Sequence, residues 1–439
     1  MKPINIGLLG LGTVGSGTAQ VLYRNAAEIE RRTGRKIRLF MAADRRSDID
    51  TADFDPDTVL TDDAFAVVAH PEVDIVVELI GGSTIAKDLI LKAIENGKHV
   101  VTANKKLLAE YGNEIFAAAE KRDVMVMFEA AVAGGIPIIK VLREGLAANR
   151  IQWIAGIING TSNFILSEMR DKGSDFADVL AEAQQLGYAE ADPTFDIEGH
   201  DAGHKITIMA ALAFGIPLSF DHCYLEGISH LDGKDIRYAE ELGYRVKLLG
   251  ITRRTAQGIE LRVHPTLIPE KRLLANVNGV MNAVWVHADM VGSTLHYGAG
   301  AGALPTASAV VADIVDLSRL ITSDAGTRVP HLAFQPSQVA NIPILPMDEV
   351  VSSYYLRVQA ADESGVLASI TRILADEKIS IEALIQKGVW HSDEKAEIVI
   401  LTHSAQEKHI KAAIAAIENL SCVSRPVVMI RMESFHISR

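Results

Sequence analysis

The sequence predicts an α/β chain in three parts: a doubly wound domain, an α+β domain and a small terminal module of β-α-β-β-α-β order. Three observations carry this. Short apolar runs alternate with amphipathic stretches of helical length over residues 1–133, which indicates a parallel sheet covered by helices on both faces. A glycine-rich turn follows the first of those runs directly. After a stretch with prolines at 336, 343 and 346, the last ninety or so residues repeat strand and helix signals in the order of a ferredoxin-like unit. At 439 residues the chain also exceeds what a single core usually organises.

The strands of the first part read as "INIGLLG", "IRLFMAA", "VDIVVELIGG", "HVVTANK" and "VMVMFEA". Between them, "TIAKDLILKAIENGK" and "LLAEYGNEIFAAAEKR" have helical periodicity. Gly10, Gly12, Thr13, Val14 and Gly15 form G-L-G-T-V-G between the first strand and a helix. That spacing lets the backbone turn tightly, approach a pyrophosphate and pack the helix on the sheet, a Rossmann-type dinucleotide site. A purely structural glycine turn is the alternative. At the end of the second strand, "AADRRS" places Asp44 where it can accept from a ribose 2′-hydroxyl, as for NAD. Arg45 or Arg46 there can pair with the 2′-phosphate of NADP, or stand as a solvated loop residue.

Composition narrows the function classes. A formal charge of -13 argues against a general nucleic-acid binder. Cys223 and Cys422 are the only cysteines, without metal-ligand spacing, as expected of a reducing, cytoplasmic setting. The glycine-broken N-terminal run makes a poor signal peptide, and no later run reaches membrane-spanning length, so no membrane partner is expected.

The segment "YAEADPTFDIEGHDAGHK", residues 188–205, is rich in acids and runs straight into the apolar "ITIMAALAF". If a helix begins near Gly199, then Asp201, Lys205, Ile208 and Leu212 share a face. A lysine on an apolar stripe above a carboxylate has a tunable proton and suits transfer to or from a substrate oxygen. A helix-start salt bridge without chemistry is the plainer reading. His200 and His204, also four apart, offer a rival metal site, but a third ligand is not evident.

Ala183, Gly187, Tyr188, Ala189, Asp192, Pro193, Asp196, Ile197, Gly199, Asp201 and Lys205 match, at every spacing, a signature of homoserine dehydrogenases. "ELIGG" at 78–82, "ANKK" at 103–106, "FEAAVAGGIPII" at 128–139, "NGTSN" at 159–163 and "GAGAGALPTASAVVADIVD" at 298–316 follow in that family's order. The chain thus resembles the family along essentially its whole length. The resemblance implies reversible reduction of L-aspartate 4-semialdehyde to L-homoserine with NAD(P)H, a step toward threonine and methionine. It implies that Lys205 is the general acid/base, that Asp201 positions it, and that Lys105 reaches substrate and nicotinamide. Glu190 and Asp196, with the Gly187 backbone, resemble groups that receive the substrate ammonium. The substrate carboxylate then falls to amides around Asn159, Gly160 and Thr161, whose alternative role is a domain-crossing turn.

The same resemblance implies a monovalent cation such as sodium at Glu129, Val132, Gly134 and Ile136, a stretch that by itself reads as a glycine-rich hinge. It implies a return of residues 298–325 to the nucleotide domain, with Gly302 near the cofactor, and a substrate and dimerisation domain over 134–297. A linker spans 335–350, and 351–435 resembles an ACT domain through "DESGVLA", Asp362 to Ala368. Threonine is the expected effector there, with a structural or oligomerising module as the alternative. A homodimer or homotetramer is the expected assembly. Two other classes compete: a metal-dependent hydrolase built on His200, His204 and Asp201, and a regulatory protein that binds dinucleotide and amino acid without turnover.

Overall fold

The computed structural model describes residues 2–322, 328–388 and 395–435. Its first sheet contains β1 (Ile4–Leu9), β2 (Ile37–Ala43), β3 (Val59–Thr61), β4 (Ile75–Glu78), β5 (His99–Thr102) and β6 (Val126–Met127). All pairings are parallel, in the order β3-β2-β1-β4-β5-β6. Every residue of β1 is buried, because helices cover both faces, and its sequence accordingly reads as an apolar run. The order reverses between β1 and β4, and ligands of such sheets bind at that switch point, beyond the carboxyl ends of the strands.

The helices of this part are α1 (Thr13–Arg24), α2 (Ala26–Thr33), α3 (Ala64–Ala69), α4 (Ile85–Glu95) and α5 (Lys105–Lys121). In the middle of the chain lie α6 (Ile138–Lys140), α7 (Gly160–Lys172), α8 (Phe176–Gln185), α9 (Thr194–Ile197), α10 (His200–Phe214) and α11 (Gly233–Glu241). Then α12 (Ala303–Leu320) returns to the first sheet and packs on α1. The approach is close: a Cβ on Gly17 would fall 2.9 Å from the Ala303 carbonyl oxygen.

The second sheet has eleven strands. They are β7 (Ile151–Ile157), β8 (Tyr224–Leu225), β9 (Tyr244–Arg254), β10 (Ile259–Pro269), β11 (Met281–Ala288), β12 (Gly292–Ala299), β13 (Val351–Ala361), β14 (Ile381–Gly388), β15 (Lys395–Thr402), β16 (Ala405–Gln406) and β17 (Val428–Met432). The order runs β12-β11-β7-β9-β10-β17-β13-β15-β14. With α13 (Val366–Asp376) and α14 (Glu407–Glu418), the strands from β13 onward have the connectivity of a ferredoxin-like unit. That unit is not a separate bead on a linker. Its last strand, β17, pairs in parallel with β10, Thr266 opposite Arg431 and Leu267 opposite Met432. β8 pairs with β10 only at Arg262 and Val263, and β17 carries the covering of that edge further along the strand.

The proline-rich stretch is docked as well. The Ala340 amide donates to the Gly215 carbonyl at 2.8 Å, and the Ile259 amide to the Pro343 carbonyl at 2.9 Å.

Helix α10 is the central pillar. Residues Asp201 to Phe214 are all buried, between the middle sheet and α5. A helix apolar all round belongs in a core. Glycines in the left-handed region bound it, Gly199 at φ 83° and Gly215 at φ 63°. Truncating a buried side chain here, such as Leu212→Ala, costs about 2–5 kcal/mol.

Candidate active site

The glycine turn is built for a ligand. Gly10 has φ +89°, and a Cβ there would stand 2.9 Å from the Leu79 carbonyl oxygen. At Gly15 a Cβ would fall 1.9 Å from the Gly10 carbonyl oxygen, so only glycine lets α1 start so near the strand. At Gly12 a Cβ would meet nothing within 4 Å. The backbone there is open to a pyrophosphate, and the first amides and positive dipole of α1, beginning with Thr13 and Val14, stand behind it.

Beyond this turn lies a pocket of about 590 Å³ with walls from both sheets' domains. Val14, Gly134 and Gly302 line it on one side, and Asn159, Gly160, Thr161, Gly187 and Asp196 on the other. Lys105, Asp201 and Lys205 meet inside. Lys105 opens α5, whose start is fixed by Asn104: its side chain accepts from the Leu107 amide at 3.1 Å and donates to the Gly82 carbonyl at 2.6 Å. Asp201 and Lys205 sit one turn apart on α10, as the spacing predicts.

Lys205 Nζ lies 2.6 Å from Asp201 Oδ2 and 2.7 Å from the Ile158 carbonyl oxygen. Lys105 Nζ lies 3.0 Å from Asp201 Oδ1. Asn159 Nδ2 bridges two acids, donating to Asp196 Oδ1 at 2.7 Å and Asp201 Oδ2 at 2.8 Å. Burial opposes the charge on Asp201, but the two lysines prevail and hold its carboxyl well below the usual range. Burial pushes Lys205 down, against the pull of Asp201. Lys105 is raised, chiefly by Asp201. Asp196 is raised by burial and then by its neighbour Asp201. Two amines of opposite shift on one anchored carboxylate can divide the work, one exchanging a proton while the other keeps its charge.

The family model for the homoserine dehydrogenase NAD-binding domain matches residues 10–129, that for homoserine dehydrogenase residues 137–315, and that for the ACT domain residues 354–422. A homoserine dehydrogenase of Neisseria gonorrhoeae is 72% identical over 436 residues, covering 99% of this chain and 100% of that one. The chain belongs to the homoserine dehydrogenase family. It is therefore an NAD(P)-dependent oxidoreductase. The crystal structure of a homoserine dehydrogenase from Thiobacillus denitrificans superposes with a TM-score of 0.94 at 65% identity, covering 99% of each chain. A hyperthermophilic archaeal homoserine dehydrogenase mutant in complex with NADPH, 27% identical, has a TM-score of 0.60 and covers 72% of this chain and 97% of its own.

Not every residue expected of a homoserine dehydrogenase site gathers there. Glu190 is exposed and lies outside the pocket lining, while its carbonyl accepts from Gln184 Nε2 at 3.0 Å. His204 is buried against Phe220 and Phe195, with ring centroids 4.1 and 5.4 Å away, and burial lowers its pKa to about 4. It packs as an aromatic, and among the described residues no group of three His, Cys, Asp or Glu can hold a metal ion.

At the nucleotide end both arginines are exposed; Arg46 lines a cavity of about 390 Å³ beside Thr13, and Arg45 lies outside that lining. Arg46 pairs with Asp44, Nε to Oδ1 at 3.1 Å, and Asp44 Oδ2 also accepts the Leu11 amide at 2.7 Å. The two groups weighed as rivals at the 2′ position are partners, and Asp44 braces the glycine turn.

In the 129–136 loop both Glu129 carboxylate oxygens accept amides, from Ile139 at 2.8 Å and Lys140 at 2.9 Å. The Ile136 carbonyl accepts from Ile138 at 2.7 Å. Asp313, pushed up to about 8 by burial and then by Glu129, accepts the Glu129 amide at 2.7 Å. The chain's own donors thus engage Glu129 and Ile136. Val132 is buried beside them, and Gly134 turns with φ 51° against Gly300.

Sequence reasoning missed Asn282, which lines the pocket with a buried Oδ1 that has no hydrogen-bond partner among the described residues. Its amide fills the space of a Cβ on Gly300, which would lie 2.0 Å from Nδ2. One asparagine in the apolar "GVMNAVWV" was the only signal.

Proposed function

We propose that the chain interconverts L-homoserine and L-aspartate 4-semialdehyde with NAD(P), in the pocket where Lys205 and Lys105 share Asp201. The observation that carries this is the shared carboxylate: it fixes two amines whose proton affinities are driven apart. A bound nicotinamide supplies the hydride acceptor or donor. Neutral Lys205 takes the hydroxyl proton as homoserine is oxidised and returns it in reduction. Lys105, held charged, faces the oxygen and stabilises negative charge there. Asp196 receives the substrate ammonium with the Gly187 backbone, and the N-terminus of α7, at Gly160 and Thr161, receives its carboxylate. Glu190 reaches the ammonium only if its segment folds over the pocket.

The cofactor turn at Gly10, Gly12, Thr13, Val14, Gly15 and Asp44, with Gly302 opposite, orients the nucleotide toward these lysines. Sodium at Glu129, Val132, Gly134 and Ile136 rests on resemblance, and replacing sodium by choline in the assay tests it. The ACT domain is proposed to bind threonine as a feedback effector, and the chain to work as a homodimer or homotetramer in the cytoplasm.

The test is nucleotide reduction with homoserine and each of NAD and NADP, followed by absorbance, with and without threonine. Absence of homoserine-dependent reduction with either nucleotide defeats the catalytic reading. Rates indifferent to threonine at millimolar levels, on the order of a metabolite concentration, defeat the effector reading.

A further inference from the structure

Arg431, on the last strand of the ACT domain, is fully buried between that domain and the middle of the chain. Its Nε and Nη2 grip the two oxygens of Glu407 at 2.7 and 2.6 Å, a bidentate pair within the ACT domain. The rest of the guanidinium crosses the boundary. Nη1 donates to Glu226 Oε2 at 2.7 Å and Nη2 to the Tyr224 hydroxyl at 3.1 Å. That hydroxyl donates in turn to Glu226 Oε2 at 2.7 Å, and the guanidinium lies 5.0 Å from the Tyr224 ring centroid.

What Arg431 fixes, the substrate side rests on. The Ile228 amide donates to the Ile197 carbonyl at 2.8 Å. Gly227 lies so close that a Cβ would fall 2.4 Å from the Ile197 carbonyl oxygen and 2.6 Å from Glu198 Cα. The Glu226 carbonyl oxygen stands 3.7 Å from the Cβ position of Gly199, the residue that caps α10. One residue before Ile197 is Asp196, and two after Gly199 is Asp201.

We propose that Arg431 is a positioning residue for the dehydrogenase reaction, supplied by the ACT domain. It holds residues 224–228 as a floor under the 196–201 turn, and so sets where Asp196 and the start of α10 present themselves to homoserine. This rests on the reading that homoserine's ammonium is bound at Asp196. A shift of β17 then reaches the amino-acid end of the pocket and leaves the glycine turn of the nucleotide site untouched.

The experiment uses the full-length chain with Arg431→Lys and Glu226→Ala. Glu226→Ala leaves the Arg431–Glu407 pair intact, so it decides the matter if Arg431→Lys fails to fold. Each is expected to raise KM for homoserine about fivefold or more, with KM for the nucleotide within about twofold of the parent. A purely structural role would lower the thermal midpoint and leave that KM contrast absent. Parent turnover of homoserine, with KM for homoserine unchanged in folded Glu226→Ala, overturns the positioning role alone. A parent without homoserine turnover overturns the site reading and this proposal with it.

Discussion

Lys105 and Lys205 hold opposite oxygens of one carboxylate: Lys105 Nζ is 3.0 Å from Asp201 Oδ1, and Lys205 Nζ is 2.6 Å from Oδ2. Neither lysine alone would give this behaviour. Lys105 is half-buried at the pocket wall, and Asp201 keeps it charged. Lys205 is buried, with the Ile158 carbonyl as its second acceptor, and burial favours its neutral form. When Lys205 gives up its proton, Lys105 still compensates Asp201.

The first prediction concerns Lys205. Lys205→Ala should lower kcat by about 10²-fold or more, the loss expected of a general acid/base, with little change in nucleotide KM. Homoserine oxidation needs the neutral amine, so its rate should rise with pH through the ionisation of Lys205, below the ordinary lysine value of 10.5. Semialdehyde reduction needs the ammonium and should fall over the same range. Lys205→Ala should flatten both limbs. A folded variant with near-parental kcat and an unchanged pH profile would move proton transfer to Lys105 or a water.

Local physics made much of this visible in advance. Gly10 and Gly15 announce their contacts because each answers to a steric demand within one turn, and Gly12 between them keeps the backbone open. Asp201 and Lys205 do so because four residues is one helical turn. Lys105 was reached only by resemblance, since 96 positions separate it from Asp201 and no periodicity spans such a gap. For the same reason the pairing of β17 with β10 was not legible: strand propensity says that a strand exists, not which edge it closes. Arg45 and Arg46 looked alike in sequence, and only the path of the loop beyond β2 laid one of them, Arg46, against Asp44 and the Leu11 carbonyl.

The second prediction follows from the Asp44–Arg46 pair. Arg46→Ala should weaken NADP more than NAD, because a 2′-phosphate loses its cationic partner. Asp44→Ala should weaken both nucleotides, since it also frees the Leu11 amide that braces the glycine turn. KM values for the two nucleotides, measured in both variants, check this. Arg46→Ala acting equally on NAD and NADP would place the 2′ group elsewhere.

The third prediction concerns truncation. A chain ending near Asn341 looks from sequence like a working catalytic core without its regulator. In the structure it loses β17 from the edge of β10, and it strips Asp235 of Arg357, whose Nε and Nη2 lie 2.6 and 2.8 Å from its oxygens. Asp235 is fully buried. Truncation also uncovers the apolar surface that Tyr355, Val399, Leu401, Ile430 and Met432 bury in the core of the middle domain, at about 25 cal/mol for each Å² exposed. The truncated chain should unfold at a clearly lower temperature or urea concentration and lose activity in proportion. A parental melting midpoint together with parental kcat would show that the core stands alone.

The last prediction uses Lys247, a lysine outside the catalytic group. It is buried on β9, and its three acceptors are neutral oxygens: Val277 carbonyl at 2.6 Å, Asn163 Oδ1 at 3.1 Å and Asn278 Oδ1 at 3.2 Å. Those acceptors favour the ammonium, but burial dominates and pushes the group down to about 7 from 10.5. Between those two values the unfolded chain binds a proton there that the folded chain does not. Stability therefore rises with pH across that window, by at most about 1.4 kcal/mol per pH unit from this group, and is level below pH 7. Lys247→Met removes the titration and keeps an apolar stem of similar length, so it should flatten the rise. Urea midpoints of parent and variant at the two ends of the window measure the difference, and groups common to both proteins cancel. Equal slopes would mean that the three oxygens hold Lys247 charged in the fold, and the variant should then be the less stable protein at every pH.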